Sequence, residues 1–242
     1  MNVLTPAERL YVALDFKPDQ TTGRNGTHAR VMEFAKKIAK TGIGVKLNAD
    51  LRAWGEGMID EIHSLGLRFF VDLKIDDVSA TMERDGIYLS AFKPDVLTVM
   101  CFASSKALRS IKAVLPKTKV IGVTVLTDIP AVEITDMFQC SVSDLAHRLA
   151  DHASRAGLDG LVCSPHEVAR LRTFFPEMLL VTPGVRDPAT PVKNDDQQRV
   201  MTPAEAIAAG ADCLVIGRPI VEAPDPYAAA MRFLEQIDKA TV

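Results

Sequence analysis

No apolar run in this 242-residue sequence approaches the roughly 20 residues that span a bilayer. The opening stretch, MNVLTPAERLYVALDF, lacks the basic-then-apolar order of a signal peptide. Basic runs and basic aromatic-rich patches are also missing. With a net charge of −3, the chain offers no electrostatic footprint for nucleic acid. Cysteine is limited to Cys101, Cys140, Cys163 and Cys213. None forms a C-x-x-C pair or stands at zinc-ligand spacing from a histidine. Buried free thiols in a reducing cytosol are the expectation. The five histidines all fall in or at segments with helical character, where a surface role is expected. No G-x-G-x-x-G follows the first apolar run, which argues against a dinucleotide-binding open sheet. These absences argue against membrane spans and nucleic-acid partners, and the free thiols suit a cytoplasmic setting.

What is present is an alternation. Apolar, β-branched runs recur at Leu10–Leu14, Gly44–Leu47, Arg68–Leu73, Val96–Met100, Lys119–Leu126, Gly160–Cys163, Leu179–Thr182 and Cys213–Ile216. Segments of helical periodicity lie between them. The helix expected over Leu51–Leu65 is one example, and a short extra turn is expected at Glu133–Phe138. Gly42, Gly66, Gly157 and Gly210 read as helix stops. Eight strand–helix units without a composition break predict a single α/β domain over residues 1–242, a (β/α)8 TIM barrel.

The stretch VDLKIDDV (Val71–Val78) concentrates Asp72, Lys74, Asp76 and Asp77 at the end of a buried strand. Charges there are costly unless paired. Strand alternation puts Asp72 and Lys74 on one side. A structural ion pair and an active site are both open on this spacing alone. Catalytic groups of a barrel sit at the carboxyl ends of its strands, and Asp15, Lys46, Asp72 and Lys74 would form one alternating row on strands one to three. Gly217-Arg218 after strand eight occupies a common phosphate position. The polar, proline-bearing stretch from Pro183 to Met201 reads as a closing loop beside it. Thr202-Pro203 reads as an N-cap and first helical position. The polar stretch Lys17–Thr27 reads as a solvated loop without chemistry.

The motifs VALDF (Val12–Phe16), VKLN (Val45–Asn48), DLKIDD (Asp72–Asp77), GVTVLT (Gly122–Thr127), TPGVR (Thr182–Arg186), DDQQRVMTP (Asp195–Pro203) and GADCLVIGRPI (Gly210–Ile220) resemble the orotidine 5'-phosphate decarboxylase family, in its bacterial form. The resemblance runs through nearly the whole chain. It implies decarboxylation of orotidine 5'-phosphate to UMP in de novo pyrimidine biosynthesis, by a carbon–carbon lyase that needs no metal or organic cofactor. It implies Lys74 as proton donor to C6, Asp72 beside the departing carboxylate, Lys46 continuing the array, and Asp77 completing it across a homodimer interface. It further implies substrate contacts from Asp15, Lys46, Thr81, Thr127, Arg186, Gln197, Gly217 and Arg218. Departures include Asp76 where the family commonly has histidine, Met100 in place of another histidine, and Asp128 in place of serine. Two rivals are weighed. One is a metal-dependent sugar-phosphate decarboxylase or aldolase of the same superfamily, acting on a substrate such as 3-keto-gulonate 6-phosphate, which would share the Asp-x-Lys-x-x-Asp element but against which the Pro183–Met201 stretch argues. The other is a non-catalytic phosphate-binding barrel, against which the intact Asp15, Lys46, Asp72, Lys74 and Asp77 argue.

Overall fold

The computed structural model describes residues 4–17, 21, 23–187 and 200–241. Its eight strands are β1 (Leu10–Ala13), β2 (Gly44–Leu47), β3 (Phe69–Ile75), β4 (Val96–Met100), β5 (Lys119–Val123), β6 (Gly160–Val162), β7 (Leu179–Thr182) and β8 (Cys213–Ile216). They pair in parallel in sequence order, and β8 returns to β1 to close the barrel. Closure of a (β/α)8 barrel is therefore observed as the apolar runs predict.

Helices cover the outside. They are α1 (Gly23–Ile38), α2 (Ala49–Trp54), α3 (Glu56–Ser64), α4 (Ser79–Ser90), α5 (Ser105–Val114), α6 (Ala131–Phe138), α7 (Val142–Arg155), α8 (Val168–Phe174), α9 (Pro203–Ala208), α10 (Arg218–Val221) and α11 (Pro226–Thr241). Three differ from expectation. The helix predicted over Leu51–Leu65 is split into α2 and α3 at Gly55, whose φ of 65° no helix accommodates. Helix α1 starts at Gly23, inside the stretch read as a loop. Helix α10, a single turn after β8, follows no periodic signal. By contrast, the four glycine stops all take left-handed φ angles, from 69° to 107°. Thr202 caps α9 as expected, and Glu205 completes a capping box.

The interior and the outer shell are separate cores, sorted by strand alternation. On β3, Phe70 points inward and meets Tyr11 edge-to-face at 5.4 Å, while Phe69 points outward into the helix layer. Each is essentially unexposed, worth about 1.5–3 kcal/mol of burial. At the amino-terminal end Arg68 lies over the Tyr11 ring at 4.6 Å and donates to its hydroxyl at 2.9 Å. Gly44 is required beside them, because a Cβ there would lie 2.5 Å from the Tyr11 ring.

The same end carries a clasp used three times. Asp95, Asp159 and Asp212 each stand one residue before an even-numbered strand. Their carboxylates accept from the N–H groups of Phe69, Val120 and Leu180 at 2.6, 2.8 and 2.7 Å. Each aspartate N–H in turn donates to the carbonyl of that same partner residue. The clasp satisfies backbone donors at the starts of β3, β5 and β7, where an unpaired buried N–H would be costly. Lys112 and Arg172 neutralise the second and third carboxylates.

Candidate active site

Interior positions carry the site by register. Ala13 pairs with Lys46, and Lys46 with Phe70. Two residues further on, Asp15 and Asp72 stand above Ala13 and Phe70 at the carboxyl-terminal rim. They open into a cavity of about 440 Å³. Lys46 donates to Asp15 Oδ2 at 3.3 Å and to Asp72 Oδ2 at 2.9 Å. Lys74 donates to both Asp72 oxygens, at 2.9 and 2.8 Å. The result is the alternating row Asp15, Lys46, Asp72, Lys74.

Lys46 and Asp72 are buried, at 7% and 6% exposure, whereas the Lys74 side chain opens onto the cavity. Burial opposes ionisation of Asp72, but Lys46 and Lys74 outweigh it and hold the carboxyl at about 2. Burial also works against the Lys46 ammonium, and Asp72 and Asp15 more than compensate, so its pKa is raised. Buried charges of this kind are a weak source of stability, and a preorganised charged row at a cavity wall fits catalysis better than scaffolding.

Strand β3 does not run regularly through this row. Val71 pairs with Leu97 and Ile75 with Val99, so Asp72, Leu73 and Lys74 face the single residue Thr98 on β4. Lys74 takes a left-handed φ of 51° within this bulge. Bulges re-aim side chains beside active sites. Asp72 and Lys74 meet as strict alternation predicts, but by way of the bulge.

The segments after β7 and β8 bring two arginines to the same cavity. Gly184 and Arg186 follow β7, Gly217 and Arg218 follow β8, and all four line the cavity. The lining also has an apolar part, with Phe70, Val123, Val162 and Val215. The base of the loop after β7 is pinned where Val185 bridges Met201 and the Arg186 N–H donates to the Met201 carbonyl at 2.9 Å.

A family model described as orotidine 5'-phosphate decarboxylase / HUMPS family matches residues 8–233. The chain belongs to this family. An orotidine 5'-phosphate decarboxylase from Rhodopseudomonas palustris is 39% identical over 235 residues, covering 96% of this chain and 95% of the relative. One from Synechocystis is 43% identical over 190 residues, covering 76% of this chain and 81% of the relative. The crystal structure of an orotidine 5'-phosphate decarboxylase from Lactobacillus acidophilus superposes with a TM-score of 0.77 at 26% identity, covering 95% of this chain and 98% of that one. The matched range of this decarboxylase-family chain contains the lining of the cavity.

Of the residues expected from sequence, Asp15, Lys46, Asp72, Lys74, Thr127, Arg186, Gly217 and Arg218 all line the cavity. Asp77 and Thr81 do not. Asp77 is exposed and accepts from the Val78 N–H at 2.6 Å, and Thr81 is half-buried in the first turn of α4. Asp76 is exposed and stands outside the cavity lining. Gln197, and most of the closing loop expected around it, lies outside the described residues. Four of the five histidines are half-buried rather than at the surface. His152, for example, meets the Ala103 carbonyl at 3.0 Å.

Sequence reasoning missed three features. Lys17 and Glu222 pair at 3.6 Å on the cavity lining. Thr98, at 0% exposure, contacts both Asp72 and Lys74. The available signal for it was a polar residue in an otherwise apolar buried strand. Asp50, on α2, is 7% exposed. Burial and then the Asp15 charge raise its carboxyl to about 6, against the opposing pull of His28 and Lys46.

A carboxyl whose folded pKa is raised favours folding while protonated, and that advantage is lost as pH climbs from its unfolded value to about 6. Asp50→Asn is therefore expected to be more stable than the parent at pH 8, by about 1–3 kcal/mol, and nearly equal to it at pH 4. Thermal melts of both proteins at the two pH values check this. An equal difference at both would remove Asp50 as its source.

Proposed function

We propose that the whole chain, residues 1–242, acts as one catalytic domain that decarboxylates orotidine 5'-phosphate to UMP, the closing step of de novo UMP synthesis. The observation that carries this reading is one cavity lined both by the Asp72–Lys74 pair, from β3, and by Gly217 with Arg218, from the end of β8. That arrangement suits a nucleotide whose ring reacts at one end while its phosphate is gripped at the other. The family membership and the 39% identical relative support it independently.

In this reading the bond from C6 to the carboxyl group breaks, carbon dioxide leaves, and the electron pair remains on C6. The Lys74 ammonium stabilises that charge in place and then gives C6 its proton. Asp72 stays ionised, held near 2 by its two lysines, and faces the carboxylate that departs. Lys46 and Asp15 extend the array towards the ribose. Thr127 lies by the base, Arg186 belongs to the closing loop, and Gln197 assists the phosphate. Stabilising the carbanion supplies the larger share of the rate, because the ammonium needs no reorganisation when charge develops.

Asp77 and Thr81 act on the active site of a second copy in a homodimer. The exposure of Asp77 in one chain, and the place of both residues outside this chain's own cavity lining, support this. So do the exposed apolar side chains on the segments after β3, β4 and β5, among them Val78, Tyr88, Phe102 and Met137. The protein works in the cytoplasm on small molecules and uses no cofactor.

The deciding experiment follows the absorbance of orotidine 5'-phosphate with purified protein, with and without EDTA. A fall in absorbance that EDTA leaves unchanged is expected. Loss of turnover with EDTA would overturn the metal-free mechanism, and EDTA-sensitive turnover of 3-keto-gulonate 6-phosphate in place of orotidine 5'-phosphate would transfer the protein to the metal-dependent sugar-phosphate enzymes. No fall in either arm, with the nucleotide still bound, would make it a binding protein.

A further inference from the structure

Strand β4 reads Val96-Leu97-Thr98-Val99-Met100, and Thr98 is its one polar side chain. Nothing of it reaches solvent. It stands opposite the bulge, the one residue facing Asp72, Leu73 and Lys74. A hydroxyl has one hydrogen to donate and lone pairs to accept with, and Thr98 uses both. It donates to Asp72 Oδ1 at 2.9 Å and accepts from the Lys74 N–H at 3.0 Å. We propose that Thr98 is a positioning residue for the decarboxylation, its hydroxyl holding the Lys74 backbone and the Asp72 carboxylate in reacting geometry.

Three observations meet at this point. The bulge takes the Lys74 N–H off the regular strand ladder, so it needs another acceptor. The Lys74 φ of 51° is unfavourable for a lysine and persists only where the surroundings impose it. Asp72 receives Lys46 and Lys74 from the cavity side, and Thr98 contributes a neutral donor that fixes the rotation of the carboxylate. Releasing Thr98 lets the carboxylate turn and the Lys74 amine move with it, since the two are bonded through both oxygens. Thr98 itself lies outside the cavity lining, so it acts through Asp72 and Lys74 and touches no substrate.

The inference rests on the proposed decarboxylation, and the test separates the two. Thr98→Val keeps the shape and removes the hydroxyl, while Thr98→Ser keeps the hydroxyl. Expected for the valine variant is a fall in kcat of roughly 10- to 100-fold, with KM and UMP affinity within about threefold of the parent. The serine variant is expected to stay within about threefold of the parent kcat. A valine variant as fast as the parent overturns the proposal. So does a serine variant as slow as the valine one, or a loss confined to KM, because each assigns Thr98 to packing.

Should the valine variant fail to fold, Thr98→Cys replaces it. Cysteine is a weak hydrogen-bonding group, so slow turnover is expected, and parental turnover overturns the proposal. If the parent itself leaves orotidine 5'-phosphate unchanged, the functional reading fails instead. A crystal structure of the folded variant lacking the hydroxyl then decides the geometric part: departure of Lys74 from its left-handed φ supports the role, and its retention overturns it.

Discussion

Lys74→Ala is expected to lose turnover by roughly 10⁴-fold or more, the combined loss of a preorganised charge and of a proton donor, while UMP binding remains measurable. Among the described residues that line the cavity, the other cation bonded to Asp72 is Lys46. Lys46 is committed to Asp15 and Asp72 at 3.3 and 2.9 Å and lies deeper in the wall. Asp72, with its pKa near 2, carries no proton to give at neutral pH. Binding is expected to survive because Arg186, Arg218 and the apolar lining are untouched, and on the proposed mechanism the loss of a group that acts in the transition state lowers kcat rather than affinity. Single-turnover assays on rigorously purified variant, with UMP titrated in parallel, make the measurement. Turnover within about tenfold of the parent would take Lys74 out of the chemistry.

The second large effect is expected at the end of β8. Arg218→Ala should weaken UMP by about 10- to 150-fold, from the 1.5–3 kcal/mol of hydrogen bonds to a charged group, and should leave uridine affinity nearly unchanged. Arg218 lines the cavity beside Gly217 at the start of α10, where its planar fork suits a phosphate. Phosphate contacts of this kind also supply binding energy remote from the reacting ring, which can be used to close the site around it. Turnover of orotidine 5'-phosphate should therefore suffer along with binding. Equal losses for UMP and uridine would place Arg218 off the phosphate.

Both effects depend on residues that were legible before any coordinates, because a barrel strand announces its catalytic end. A charge at such an end is open to a structural ion pair as well as to an active site. Asp15 and Arg218 follow their strands, while Lys46 and Asp72 stand within β2 and β3, and it is their number on one rim that singles them out. Boundaries were less legible. Strand β3 continues to Ile75, beyond the expected Leu73, and β5 stops at Val123, short of the expected Leu126. In each case residues near the strand end are drawn into the cavity wall. Helix α1 begins at Gly23, several residues before the expected Ala29, although its first residues are poor helix formers.

By itself, the sequence determined the alternation of eight strands with helices, the ends at which glycine stops them, and the charged row at one rim. These follow from local properties: hydrophobic period, backbone freedom and the cost of burying charge. Only the tertiary structure decided how the row is held. The bulge in β3, the Thr98 hydroxyl opposite it, the raised pKa of the Asp50 carboxyl near Asp15 and the three aspartate clasps at the far end all depend on partners distant in the chain, such as Thr98 and Asp72, 26 residues apart. Contacts of that range exist only once the strands that carry them have paired, as β3 and β4 do to bring Thr98 to Asp72, and no local property of the chain specifies them.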